Sequence, residues 1–124
     1  MDYLYMKLFT KDLQKSECFV RDILEAKIVK SGDMFFESDF FGYKVVFQLI
    51  TDHDKSYRGS PIVLSERHQV ETIYQRCLTH GVKIIQKPIR LASNNQLSLI
   101  IEDNLGCKID FRCYELGNIF ADSL

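Results

Sequence analysis

Residues 65–87 read SERHQVETIYQRCLTHGVKIIQK and predict a helix that leads directly into a strand. Five apolar residues repeat at the i, i+3, i+4, i+7 and i+8 spacing of one helix face. They are Val70, Ile73, Tyr74, Cys77 and Leu78. Ser65 suits the helix N-cap, and Gly81 suits the position after the last turn, where the backbone becomes left-handed. Residues 82–87 then have the β-branched composition of a strand.

The same pattern of helix and strand occurs earlier in the chain, at a spacing of 56 residues between Lys27 and Lys83. Asp12 suits an N-cap there, and the segment after it predicts a first helix over about residues 13–24. The buried face of that helix is expected to carry Ser16, Phe19, Val20, Ile23 and Leu24. The sequence identity between the halves is slight, so the matching order of elements is the stronger indication of a repeat.

Short β-rich segments bounded by turn residues predict the other strands. They cover residues 3–9, 34–38 and 43–51 in the first half, and 62–64, 97–102 and 108–114 in the second. Each half is therefore β-α-β-β-β, and the predicted fold class is α+β. A ferredoxin-like βαββαβ unit is the alternative, but it leaves two strands unaccounted for. We expect a single domain built from a first module over about 1–51, a polar linker 52–59, a second module over about 60–114 and a C-terminal tail 115–124.

The composition limits the classes of partner. At 124 residues, 46% of them hydrophobic, the chain is long enough for one core and too short for two domains of typical size. A formal net charge of -1 offers no field that would attract phosphate backbones or an anionic membrane, so we expect neither as a partner. The absence of an apolar leader or membrane-spanning run predicts a soluble cytoplasmic protein, in which cysteines without a CxxC pair stay reduced.

Two stretches of the chain carry a family resemblance. DLQKSECFVRDIL at 12–24 resembles the first-helix pattern of the glyoxalase/bleomycin-resistance/dioxygenase (vicinal oxygen chelate) superfamily, with Val20 where that pattern has Tyr and Glu25 where it has Gly. DNLGCKIDF at 103–111 resembles the closing Asp-Pro-Asp-Gly-Asn-x-x-Glu pattern and keeps its first Asp and its Gly. The resemblance extends over residues 3–114. It implies two paired βαβββ modules that form a cupped mixed sheet around one ligand cavity, with helices on the outer face, usually within a homodimer.

The resemblance also implies where a metal would be held in family members that do metal chemistry. The corresponding positions are Tyr5, Gln48, one of residues 60–62, and Asp110. Only Asp110 is a good hard ligand, since Gln48 offers a neutral carbonyl and Tyr5 would have to ionise. We therefore expect no catalytic metal and no cofactor. A shifted alignment would bring in His53, although a histidine between two aspartates is more simply a solvated linker residue.

Strand alternation predicts which side chains face a cavity. On the last strand Ile109, Phe111 and Cys113 face the helices, which turns Asp110 and Arg112 to the other side. The first and fourth strands contribute aromatic and polar residues to the same face. The ligand-binding candidates are Tyr5, Lys7, Gln48, Asp110 and Arg112. Rings beside a few polar groups are typical of an organic-ligand pocket, and a solvated or dimer-covered sheet face is the alternative.

These observations favour a small-molecule-binding or sequestering protein similar to the bleomycin-resistance branch, with a small organic molecule as ligand and a homodimer as the assembly. The second hypothesis is a divergent metal-dependent lyase, isomerase, thiol transferase or dioxygenase of the same superfamily, using Asp110, Gln48 and His53. The third is a scaffold whose cavity is filled by its own side chains. Metal analysis and ligand-induced melting shifts separate the three.

Overall fold

The computed structural model describes residues 6–50, 61–92 and 95–114. The first half consists of β1 (Met6–Thr10), α1 (Leu13–Cys18), β2 (Lys27–Ser31), β3 (Phe35–Phe40) and β4 (Tyr43–Leu49). The second half repeats the order with β5 (Ile62–Leu64), α2 (Arg67–Thr79), β6 (Lys83–Leu91), β7 (Gln96–Glu102) and β8 (Lys108–Tyr114).

Each half forms a four-stranded mixed sheet, in the order β1-β4-β3-β2 in the first and β5-β8-β7-β6 in the second. The first strand of each half is parallel to the last one, and the other pairs are antiparallel. This arrangement confirms the predicted α+β fold of two βαβββ units. It also excludes the six-element ferredoxin-like alternative, because all eight predicted strands are present at least in part.

One face of each sheet packs into a shared hydrophobic core. Along β8 the residues Ile109, Phe111 and Cys113 are buried, as the alternation predicted. Buried residues of α2, of the segment 19–24 that follows α1 and of both sheets belong to one cluster, and Leu13 of α1 packs against it. The rings of Phe40 and Phe111 lie 5.9 Å apart and join the two halves across this core.

Polar contacts also connect the halves. The Val63 backbone N–H points at the Met6 sulfur at 3.1 Å, which brings β5 next to β1. Arg76 of α2 donates from Nη1 to the Leu24 carbonyl oxygen at 2.8 Å. Its Nε lies 3.7 Å from a Glu25 carboxylate oxygen, and its guanidinium lies over the ring of Phe41, 5.6 Å from the centroid. The end of the first helix is thus held by the second.

The internal repeat is visible in the backbone. Glu25 and Gly81, 56 residues apart, both follow a helix and both have positive φ, 59° and 68° respectively. After Gly81 the Val82 N–H bonds the Cys77 carbonyl oxygen at 2.9 Å, which satisfies an otherwise unpaired carbonyl at the helix end. Bulges follow Ile28 in β2 and Ile84 in β6, again 56 residues apart.

Two local expectations need correction. The N-cap of α2 is Glu66 rather than Ser65, because the Gln69 side-chain oxygen reaches back and accepts the Glu66 backbone N–H at 3.2 Å. The first helix does begin after the Asp12 cap but is α-helical only to Cys18, and residues 19–23 form a π-helical turn. The wider turn accommodates one more residue before the chain leaves the helix.

Several expectations fall on other parts of the chain. Residues 3–5 of the first predicted strand, the predicted linker 52–59 and the predicted tail 115–124 lie outside the described residues. Neither α1 nor α2 has the length and apolar character needed to cross a membrane, and the described residues contain no other candidate helix.

Candidate functional site

The face of the first sheet that points away from the core carries a pocket of about 460 Å³, here called the first-sheet pocket. Its lining comes from β1, β3, β4 and the residue before β3, namely Lys7, Met34, Phe35, Glu37, Lys44, Val46 and Gln48. Strand pairing assembles it, since Val46 lies between Lys7 on one neighbouring strand and Glu37 on the other. Pockets that bind small organic molecules have volumes in this range.

Phe35 supplies the aromatic surface of the pocket and is held by the turn before it. The Gly32 N–H donates to the Phe35 carbonyl oxygen at 2.8 Å. A Cβ at position 32 would lie 2.8 Å from the Phe35 ring, so only glycine allows this close approach. The Lys30 ammonium lies 5.8 Å from the centroid of the same ring. The ring is therefore positioned by backbone and side chain together.

The charged groups of the pocket are two lysines and one glutamate. Lys44 Nζ lies 3.7 Å from the Glu37 carboxylate, and Lys7 Nζ lies 5.8 Å from the centroid of Phe9. Gln48 pairs across the sheet with Phe35 and adds an amide beside the ring. The lining thus combines apolar area with groups that can orient a polar or negatively charged part of a ligand.

The corresponding face of the second sheet carries a hydrogen-bonded chain of side chains, here called the second-sheet network. Its members are Gln86, Gln96, Ser98, Asp110 and Arg112. Gln86 donates to the Ser98 hydroxyl at 3.1 Å, and that hydroxyl donates to Asp110 Oδ1 at 3.0 Å. Ser98 and Gln96 are buried, so the network has a fixed base on β7.

Arg112 completes this network. Its Nε and Nη2 lie 3.0 and 2.9 Å from Asp110 Oδ2, and its Nη1 donates to the Gln96 side-chain oxygen at 3.0 Å. The Arg112 and Asp110 side chains are 27% and 22% exposed, which leaves one edge of the pair accessible from solvent. Both oxygens of the carboxylate are already engaged.

At the metal positions implied by the family resemblance, the described side chains are bonded to other residues, lie beside cations or carry no ligating atom. Asp110 is bonded by Arg112 and Ser98, while Gln48 lies in the first-sheet pocket beside two lysines. Ile62 is fully buried and has no donor atom. Across residues 6–50, 61–92 and 95–114, no three His, Cys, Asp or Glu side chains come close enough to hold an ion. Tyr5, His53 and Ser60, the first of the residues 60–62, lie outside the described residues.

The cysteines and histidines of the described residues neither line the first-sheet pocket nor belong to the second-sheet network. Cys77 is buried, and desolvation raises the pKa of its thiol to about 11. Burial, and then the charge of Asp103, raise the pKa of Cys107 as well. Thiols with raised pKa are poor nucleophiles at neutral pH. His68 and His80 are exposed at the two ends of α2.

Of the five predicted ligand-binding residues, the structure places two pairs in two locations. Lys7 and Gln48 line the first-sheet pocket, while Asp110 and Arg112 bond to each other on the second sheet. The prediction omitted Phe35 and Glu37 of β3, although alternation around the buried Phe36 could have identified them. It also omitted the β7 members of the network, which depend on strand register.

Comparisons with known proteins agree with this architecture. Residues 3–111 match the family model described as the Glyoxalase/Bleomycin resistance protein/Dioxygenase superfamily. A glyoxalase/bleomycin resistance protein/dioxygenase from Alicyclobacillus acidocaldarius is 17% identical, with a TM-score of 0.69 and 92% of each chain covered. A lactoylglutathione lyase from Agrobacterium tumefaciens is 14% identical, with a TM-score of 0.64 and coverage of 93% of this chain and 95% of that one.

A genomically encoded fosfomycin resistance protein from Listeria monocytogenes is 16% identical, with a TM-score of 0.62 and coverage of 94% of this chain and 96% of that one. At these identities the solved structures show a shared fold. No curated protein sequence gives a match.

Proposed function

The chain belongs to the glyoxalase/bleomycin resistance protein/dioxygenase superfamily, and we propose that it acts there as a binding protein that takes up a small organic molecule without a catalytic metal. The observation that carries this proposal is the first-sheet pocket, which combines an aromatic ring, aliphatic side chains and charged or amide groups in about 460 Å³. The contact of Asp110 with Arg112 supports the proposal that no catalytic metal is bound.

The lining indicates the kind of ligand. Phe35, Met34 and Val46 provide apolar area for a ring or a short hydrocarbon part. The lining contains two positively charged side chains, Lys7 and Lys44, and one negatively charged side chain, Glu37. Gln48 adds both a hydrogen-bond donor and an acceptor. An amphipathic molecule with a ring and a polar or anionic group meets both requirements.

The test is a melting-shift screen with a panel of aromatic carboxylates, their amides and cationic analogues of the same size. Compounds that bind the native state raise the melting temperature in proportion to the logarithm of their concentration. Phe35→Ala and Lys44→Ala should reduce the shift produced by the best compound. Asp39→Ala is the matched control, because Asp39 lies on the same face of β3 as Glu37 and outside the pocket lining.

A second variant tests the position of the ring without removing an atom of the pocket. In Gly32→Ala the new methyl group meets the Phe35 ring at 2.8 Å, so the ring must move. We expect weaker binding of the same compound with the parent's circular dichroism spectrum retained. If no compound raises the melting temperature, or if Phe35→Ala and Asp39→Ala behave alike, the binding proposal is wrong and the scaffold hypothesis replaces it.

We also propose that the protein is a homodimer. Large apolar residues are exposed on the two outer strands of the sheets, with Val29 on β2 and Ile85 and Ile89 on β6 being 53%, 39% and 46% exposed. Unpaired sheet edges with apolar side chains favour association. Light scattering should give twice the mass of one chain, and a mass of one chain at all concentrations would contradict the prediction.

A further inference from the structure

The second-sheet network has more hydrogen-bond donors than the protein uses. A guanidinium carries five N–H groups. In Arg112 the Nε–H is donated to Asp110 Oδ2, Nη2 lies 2.9 Å from that same oxygen as an ion pair, and one N–H on Nη1 is donated to Gln96. Two N–H groups, one on Nη1 and one on Nη2, have no further partner within residues 6–50, 61–92 and 95–114.

The acceptors around Arg112 are already in use, which determines what the remaining donors can bind. Asp110 Oδ2 accepts from Arg112, and Oδ1 accepts from the Ser98 hydroxyl. The Gln96 oxygen accepts from Nη1 of Arg112. The accessible edge of the network therefore presents donors, and a complementary ligand must bring acceptors.

The guanidinium is also held in one orientation before any ligand arrives. Asp110 and Gln96 fix it at three nitrogen atoms. The network in turn rests on Ser98, which is 1% exposed. Because the planar group is oriented in advance, less side-chain entropy is lost when it binds a partner.

We propose that Arg112 forms an oxyanion-binding site on the second sheet, selective for a carboxylate, phosphonate or phosphate group with two accessible oxygens. Guanidinium groups match the geometry of such oxyanions and form charge-assisted hydrogen bonds with them. Asp110, Gln96 and Ser98 are positioning residues in this site. None of its residues lines the first-sheet pocket, so the site extends beyond the binding function proposed for that pocket.

The test follows the Arg112 Nε–H resonance by NMR while acetate or inorganic phosphate is added at constant ionic strength. Its assignment comes from its absence in Arg112→Lys. We expect a saturable shift with at least one of the two anions, and the two arms distinguish a planar carboxylate from a tetrahedral oxyanion. Arg112→Gln should weaken the affinity about tenfold or more, measured by calorimetry, because it removes charge-assisted hydrogen bonds.

Arg67→Gln is the matched control, since Arg67 also pairs with a carboxylate, Glu71 at 3.2 Å, but lies exposed on a helix. It should leave the affinity unchanged. Arg112→Lys keeps the charge but not the planar fork of donors, and it should also weaken binding. It serves as the test if Arg112→Gln does not fold. Unsaturable shifts, or equal affinities in the parent and Arg112→Lys, would overturn the inference.

The outcome is distinguishable from that of the binding proposal. A panel compound whose binding depends on Phe35 and Lys44 would preserve the first-sheet pocket as a ligand site even if neither anion binds Arg112. Conversely, if an anion binds the parent and not Arg112→Gln, the oxyanion site is supported even if no panel compound binds.

Discussion

Substitutions at Glu25 can measure the cost of backbone strain at the end of the first helix. It has a φ of 59° at the end of the first helix, where the second half has Gly81 at 68°. The left-handed conformation costs a residue with a Cβ about 1–2 kcal/mol, whereas glycine adopts it freely. Glycine in turn costs about 0.5–1 kcal/mol in unfolded-chain entropy, so Glu25→Gly should be more stable than Glu25→Ala by about 0.5–1 kcal/mol.

The comparison between these two variants isolates the backbone term. Both remove the half-exposed contact between Glu25 and Arg76, which spans 3.7 Å and contributes at most about 1 kcal/mol. Gly81→Ala tests the equivalent position and should lower the free energy of unfolding by about 1 kcal/mol. Urea unfolding followed by circular dichroism measures all three. Equal stability of the Gly and Ala variants at position 25 would refute the assigned strain.

Two further predictions concern stability. Phe111→Ala should lower the free energy of unfolding by about 3–5 kcal/mol because the ring is fully buried. Arg112→Ala on the same strand should lower it clearly less, because Arg112 faces away from the core. Equal losses in urea unfolding would contradict the assigned faces. Above pH 9 the unfolded chain ionises the Cys77 thiol while the folded chain, with its pKa of about 11, keeps it protonated. The free energy of unfolding should therefore fall between pH 9 and about 11. The fall should be about 2–3 kcal/mol larger in the parent than in Cys77→Ala. Parallel pH profiles of the two proteins would contradict this.

Much of the fold follows from local patterns that the sequence displays directly. Strand alternation identified Phe111 as buried and Arg112 as facing away from the core, because the side-chain period of a strand is two. The spacing of 56 residues between the halves also separates Glu25 from Gly81, which both follow a helix with positive φ. The cap at Glu66 was missed because it depends on the Gln69 side chain reaching back.

The candidate site was less predictable because it depends on strand register. Asp110 and Arg112 are two residues apart on one strand face, so their pairing is a local property. Ser98 and Gln96 join them only because β7 pairs with β8 in one register, Ser98 opposite Arg112. Likewise alternation places Phe35 on the outward face, but its position opposite Gln48 in the pocket depends on the pairing of β3 with β4.

The most direct test of the account is whether ligand binding requires a metal. Protein treated with a chelator should bind the best panel compound with the same calorimetric Kd as protein supplied with zinc, nickel, manganese or iron, because Asp110 is held by Arg112 and Ser98. Bound metal should remain well below one ion per chain. Binding that appears only with about one ion per chain, and is lost together with that ion in Asp110→Ala, would contradict the account and establish the metal-dependent alternative.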